Sequence, residues 1–245
     1  MPALHPLRFP RFLRAWAAAV GLALFQTLAW AAPWLDETPR VAVISAFPAE
    51  LDLLLQRVQE ARQHRVNGVR FTTGRLQGKP VVLLLSGISM TNAAMNTQLA
   101  LDRFKVTHIV YSGIAGGVNP GLHIGDVTVP QRWGQYLEVL IARETAPGTF
   151  TPPVWMDDVK LPRFGANHPR PVEVRSASQP KVHKKFWFDV DPALLAIARS
   201  IQGTALADCD AARKCLGHKP RVVVGGNGVS GPSFNDTATS GVYTF

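Results

Sequence analysis

Residues 108–130 read HIVYSGIAGGVNPGLHIGDVTVP, two short β-branched runs on either side of a glycine-rich turn. His108–Tyr111 and Asp126–Val129 are apolar enough for buried strands. Between them, Ser112-Gly113-Ile114-Ala115-Gly116-Gly117 leaves the end of the first run almost bare of side chains. Backbone of that kind lets a ligand approach closely, and ends of strands are where open α/β sheets bind ligands.

Upstream of this stretch, Val41–Ala46 (VAVISA) is another buried-strand run, and Phe47-Pro48 turns the chain into a helix. Leu51, Leu54, Leu55, Val58 and Ala61 fall at i, i+3, i+4, i+7 and i+10, which predicts one helical face reaching Ala61. Val69–Leu76 alternates, Gln77-Gly78 makes a tight turn, and Val81–Leu85 returns as the second strand of a hairpin. Asn92 reads as the cap of a helix to about Phe104, with Ala93, Met95, Leu99 and either Leu101 or Phe104 facing inward.

Downstream, the character changes. From about Trp133 to Phe188 the chain is rich in proline, aromatics and basic residues with no sustained period, and it reads as a long inserted loop. Asp191-Pro192 supplies a cap followed by proline at the first helical position, with Leu194, Leu195, Ala198 and Ile201 continuing the helix. Arg221–Val224 is a further strand and leads into Gly225-Gly226-Asn227-Gly228. Strands alternating with helices predict an α/β fold of three layers, a central mixed sheet flanked by helices. With 245 residues, 47% of them hydrophobic and 18% charged, the chain has material for one sizeable core. We read a domain over 41–245 that carries the insertion at about 133–188.

The first 31 residues read as a secretory signal peptide. Arg8, Arg11 and Arg14 precede an apolar run over Ala15–Leu28, and Ala29-Trp30-Ala31 is a small-x-small cleavage site. The apolar run is short for a bilayer span, which needs about 20 residues. Export, most simply to the periplasm, and no stable membrane span after cleavage are the expectations.

Removing the three arginines takes the formal net charge from +9 to +6. Much of the excess sits in Lys160, Arg163, Arg170, Arg175, Lys181, Lys184 and Lys185, opposed there by Glu173 alone. Such a run suits anionic lipid, nucleic acid or an acidic partner. No nucleic-acid motif accompanies it, so a solvated loop without a nucleic-acid partner is the simpler reading. Cys209 and Cys215 are the only cysteines. In an exported chain a close pair points to a disulfide, and no second Cys pair or spaced His/Asp set suggests a metal.

Three segments place glycine or a lone carboxylate at a strand end. They are Ile44–Glu50 (ISAFPAE), Ser86-Gly87-Ile88, and the glycine turn over 112–117. Glu50 also fits an ordinary acidic residue in a first helical turn. Gly226-x-Gly228-x-x-Gly231 matches a dinucleotide fingerprint in form only, because Pro232 and polar residues follow where a helix should open. No Gly-x-Ser-x-Gly elbow exists.

In order and spacing, these segments together with HIGDVTVP and Val229–Phe234 (VSGPSF) resemble the nucleoside phosphorylase/nucleosidase family. Within it they are most similar to the 5′-methylthioadenosine/S-adenosylhomocysteine nucleosidases. The resemblance covers about Val41–Val129 and Arg221–Phe234. It implies that Glu50 positions and activates the attacking water, that Ala115 and Gly116 lie along the purine, that Ile88 borders the 5′ substituent, and that Phe234 stacks on the base. It implies a purine nucleoside as ligand, no cofactor, and a homodimer.

Breaking an N-glycosidic bond builds positive charge on the sugar, which a carboxylate stabilises while taking a proton from water. Ile114 stands where the family often has Ser or Thr. Ile109-Val110-Tyr111 lacks the arginine that holds phosphate in the phosphorolytic branch, which makes water the expected nucleophile. The family's ribose-gripping Met-Glu segment and its purine-serving Asp lie beyond the Phe234 region. Neither is found up to Phe245, so the chain reads as incomplete relative to the family, with an open apolar sheet edge and little turnover of its own. A nucleoside receptor without turnover is the competing reading.

Overall fold

The computed structural model describes residues 34–237 and 241–245, and the segment read as a signal peptide lies outside the described residues. The chain forms two compact units. One holds the described residues up to Gly87 together with Ala93–Ser112; the other holds Ile88–Asn92 and the described residues from Gly113 onward.

The first unit is a five-stranded mixed sheet with a helix on each face. Its elements are β1 (Asp36–Ser45), α1 (Pro48–Arg57), β2 (Gln59–Val66), β3 (Val69–Leu76), β4 (Lys79–Leu85), α2 (Met90–Arg103, from Ala93 onward) and β5 (Phe104–Tyr111). The strand order is β2-β3-β4-β1-β5. β1 runs parallel to β4 and β5, and β2-β3-β4 is an antiparallel meander. VAVIS and VVLLL are continuous apolar runs because both of their faces are covered. Ala42, Ile44, Phe71, Val82 and Leu84 pack with Ala100 of α2 and with Phe104. Their alternates Val41, Val43, Val81 and Leu83 pack with Leu51, Leu54 and Leu55 of α1.

Three local expectations are corrected here. The first helix ends at Arg57, and Ala61 lies in β2 rather than on the helical face. β2 is a mostly exposed polar edge strand, QEARQHRV, whose composition hides its period. The sign that was legible is Asn67-Gly68, both at positive φ, the turn that joins paired strands. Gln77-Gly78 closes the expected hairpin in the same way. Asn92 is not the cap of α2. Ser89 precedes the helix and its Oγ accepts from Asn92 N at 3.2 Å, and of the residues expected to face inward Met95 and Leu101 are exposed. β5 begins at Phe104 without a linker, four residues earlier than expected.

Arg40 ties β1 to β3 and β4. Its Nε donates to Asp36 Oδ2 at 2.9 Å and its Nη1 to the Gly74 and Val81 carbonyls at 3.0 and 3.3 Å. Gly74 admits the start of β2, since a Cβ there would lie 2.6 Å from the Gln59 carbonyl oxygen. Burial raises the Asp36 carboxyl, but hydrogen bonds from Thr38 and Arg40 outweigh it and hold the group below its ordinary value. A depressed carboxylate contributes stability that is complete above its unfolded pKa of about 3.9 and is lost as pH falls through the folded value. Asp36→Asn is expected to flatten the acid limb of the stability–pH curve below about pH 4, as measured by urea unfolding across pH; an unchanged limb would exclude this group.

The second unit is assembled from short pairs. β6 (Val127–Val129) runs parallel to β15 (Val222–Val224). β7 (Arg132–Gln135) lies between β14 (Phe188–Asp189) and β16 (Asn227–Ser230). The stretch expected as a loop contains the antiparallel pairs β8 (Val139–Ile141) with β11 (Asn167–Pro169), β9 (Arg143–Ala146) with β10 (Thr149–Thr151), and β12 (Val172–Val174) with β13 (His183–Lys185). Tyr136, Phe164, Phe186 and Trp187 all contact the Phe245 ring at centroid distances of 5.6–6.4 Å. Strands of two to four residues carry no periodic signal, and an aromatic cluster drawn from distant positions supplies the packing. α3 (Pro192–Ser200) is capped as expected, with Asp191 Oδ1 accepting from Ala193 N and Leu194 N at 2.8 and 3.0 Å.

Cys209 and Cys215 form a disulfide. Inside the loop it closes, Lys214 N donates to Asp210 Oδ1 at 2.8 Å and Asp210 N to the Lys214 carbonyl at 3.0 Å. A loop this short constrains the unfolded chain by about 2 kcal/mol. Cys209→Ser with Cys215→Ser is expected to cost about that much in denaturant melts, and tryptic digests without reductant should yield the two half-cystine peptides joined. Free thiols on the purified protein would remove this contribution.

Candidate functional site

In the first unit the carboxyl ends of β4, β1 and β5 stand side by side, and each apolar run is closed by a serine. Ser86 N donates to the Ser45 carbonyl and Ser112 N to the Ile44 carbonyl, both at 2.8 Å. Ser45 and Ser86 are fully buried, so their hydroxyls must find partners. Ser45 Oγ donates to the Ser112 carbonyl at 2.7 Å, Ser86 Oγ lies 2.7 Å from Tyr111 Oη, and Asn96 Nδ2 donates to the Ser86 carbonyl at 2.7 Å. This network fixes the three ends from which Glu50's helix, the Ser86-Gly87 turn and the glycine turn depart. Sequence reasoning missed Ser45, Ser86, Tyr111 and Asn96. The legible sign was the repeated serine at the close of ISA, LSG and YSG.

Glu50 sits in the first turn of α1, where a carboxylate complements the helix dipole. Its Oε2 accepts from Ala46 N at 2.7 Å and Phe47 N at 3.4 Å, which holds the carboxylate at the carboxyl end of β1. Both sequence readings of Glu50, helix-terminal acid and strand-end carboxylate, are therefore realised in one geometry.

Ile88, Ala115, Gly116 and Phe234 belong to the second unit. Ile88 is 57% exposed and its carbonyl accepts from Asn92 Nδ2 at 2.8 Å. Ala115 and Gly116 are exposed, and a Cβ on Gly116 would meet nothing within 4 Å. Neither packing nor a positive φ demands glycine at that position. Phe234 follows β16 and is 92% exposed.

The GD pair of the opening stretch has a structural task. Asp126 Oδ1 accepts from Arg221 N at 2.9 Å and Oδ2 from His123 N at 3.0 Å, so β15 is tied to the start of β6. Those backbone hydrogen bonds, Arg221's first, hold its carboxyl below the ordinary value. Gly125 has φ +95°, and a Cβ there would lie 2.6 Å from Leu216 Cδ1. After Gly225 and Gly226 the chain enters β16, not a helix, so the dinucleotide fingerprint lacks its helical half. Among the described residues no three His, Cys, Asp or Glu side chains gather as metal ligands, and no helix is long and apolar enough to cross a membrane.

The family model described as the Phosphorylase superfamily matches residues 40–238. The 5′-methylthioadenosine/S-adenosylhomocysteine nucleosidases of Bacillus velezensis and Bacillus thuringiensis are each 41% identical over 90 residues, which is 37% of this chain and 39% of theirs. The chain thus spans about two fifths of the length of the curated relatives it matches. The Neisseria meningitidis nucleosidase of the same name, solved with methylthio-immucillin-A, superposes with a TM-score of 0.56 at 22% identity, covering 84% of this chain and 71% of that one. The Colwellia psychrerythraea enzyme, solved with adenine, gives 0.53 at 22% identity over 82% and 65%. At that identity the likeness is one of fold, and it matches the expected central mixed sheet with flanking helices.

Proposed function

The chain belongs to the phosphorylase superfamily, and on that premise we propose that the whole protein hydrolyses the N-glycosidic bond of purine nucleosides such as methylthioadenosine or S-adenosylhomocysteine, the 245 residues of this chain being expected to turn over little by themselves. The observation that carries the reading is Glu50, a carboxylate held by two backbone amides at the end of the central strand. In this role the group takes a proton from the attacking water and stabilises positive charge growing on the sugar. Ala115 and Gly116 lie along the purine. Gly116 has no packing reason to be glycine, and close approach of a ligand supplies one. Ile88 borders the 5′ substituent and Phe234 stacks on the base, two exposed apolar side chains that a nucleoside would cover.

Water is the nucleophile on this reading, because no cation occurs in Ile109-Val110-Tyr111 and Tyr111 Oη is engaged with Ser86. Adenine release from methylthioadenosine is therefore expected to be independent of phosphate concentration. A rate that rises in proportion to phosphate would assign the reaction to phosphorolysis instead. Binding of nucleoside at equilibrium with no adenine released would make the protein a receptor.

We place this activity in an envelope compartment, for which the Cys209–Cys215 disulfide and the leader-like first 31 residues are the support. Secreted protein should begin near Ala32. The assembly that goes with the reading is a homodimer, measurable by light scattering.

A further inference from the structure

The β12–β13 hairpin of the second unit carries a combination of side chains that the proposed chemistry does not use. Arg175 and Val182 lie one residue beyond the ladder that pairs Val174 with His183, so Arg175, Lys181 and Val182 share one end of it. Lys184 lines a groove of about 360 Å³ together with Trp155, Val172 and Arg170. Arg175, Lys181 and Lys184 are exposed and take part in no ion pair among the described residues. Beside these cations, Val154 is 83% exposed, Trp155 58% and Val182 56%.

We propose that this surface docks on an anionic phospholipid bilayer. Glu173 faces Lys184 across the ladder and Arg170 is already paired with Glu138, so the groove itself is nearly neutral and does not select a small anion. The wider surface is not neutral. Even with Asp157 and Asp158 counted, residues 154–185 carry a net +4. Lysine and arginine near an anionic leaflet gain roughly fivefold in partitioning each. An indole prefers the headgroup level, where its apolar body and polar N–H are both accommodated. Exposed valines gain from the acyl boundary and have nothing to gain from a sugar-phosphate strand, which separates lipid from nucleic acid.

The test is sedimentation of the purified protein with vesicles of phosphatidylglycerol in phosphatidylcholine, against phosphatidylcholine alone. Binding is expected only to the anionic vesicles and should weaken steeply with salt, because exposed charges are screened. Lys181→Gln with Lys184→Gln should weaken it about 25-fold, and Trp155→Ala should weaken it with little change in salt dependence. Melting curves of each variant control for folding. Equal sedimentation with both vesicles, no sedimentation with either, or tighter binding to single-stranded DNA than to anionic vesicles would overturn the proposal. Nucleoside turnover is a separate measurement, so failure here leaves the proposed activity standing.

Discussion

On the proposed reading, Glu50→Gln is expected to lower adenine release from methylthioadenosine by the whole protein about 10²-fold or more while leaving it as stable as before. The two effects separate because the proposed role in activating water is distinct from the carboxylate's place at the helix terminus. Its Oε2 accepts from Ala46 N and Phe47 N, and the amide oxygen of glutamine can accept the same bonds. Glutamine cannot take a proton from water, nor oppose positive charge on the sugar with a full negative one. Glu50→Ala removes the helix-terminal interaction as well and should cost about 0.5–1 kcal/mol of stability in addition to the activity. Steady-state kinetics beside denaturant melts distinguish the outcomes. If Glu50→Gln turns over normally, the carboxylate serves only the helix terminus and the water-activating group lies elsewhere. If both variants melt alike and lose activity alike, the cap contributes nothing.

The largest loss of stability from a single truncation is expected at Phe104. This residue opens β5 directly after the last residue of α2, and it is almost wholly buried. Its ring stands 5.1 Å from that of Phe71 and 5.5 Å from that of His64, in the cluster that joins α2 to the sheet. Phe104→Ala leaves a cavity that neighbours fixed in a sheet cannot collapse to fill, and should cost about 3–5 kcal/mol. Phe104→Leu keeps most of the volume and should cost less than about 1.5 kcal/mol. Urea unfolding at constant slope measures both. Near-equal costs would mean that the ring's volume is not what holds α2 against β5. The consequence reaches the site, because β5 ends at Tyr111, whose hydroxyl meets Ser86, and Ser112 N bonds to the end of β1.

The sequence by itself determined the parts of this protein whose signals are local. VAVISA and VVLLL read as strands because each is a short apolar run bounded by turn signals. Gln77-Gly78 set a hairpin because two successive positive φ angles suit that turn. Asp191-Pro192 set a helix start, and the close cysteine pair, read with the leader-like first 31 residues, pointed to a disulfide. The glycine turn and its GD strand carried most of the family likeness, because their order and spacing with the other segments match the family as a set.

Tertiary structure alone decided the remainder. β2 is polar because its edge faces water, so no hydrophobic period announced it, and Ala61 completed a helical pattern by coincidence of spacing. Phe104 continued the helix's apolar pattern, yet its burial against Phe71 and His64 made it the first residue of a strand. The stretch over 133–188 takes its order from rings far apart in sequence, which no window along the chain can register. The repeated serine at the strand ends was legible, but the network those serines make was not, for the same reason. A hydroxyl's partner is fixed by which strands lie side by side, and Ser45, Ser86 and Ser112 become neighbours only once β4, β1 and β5 are aligned.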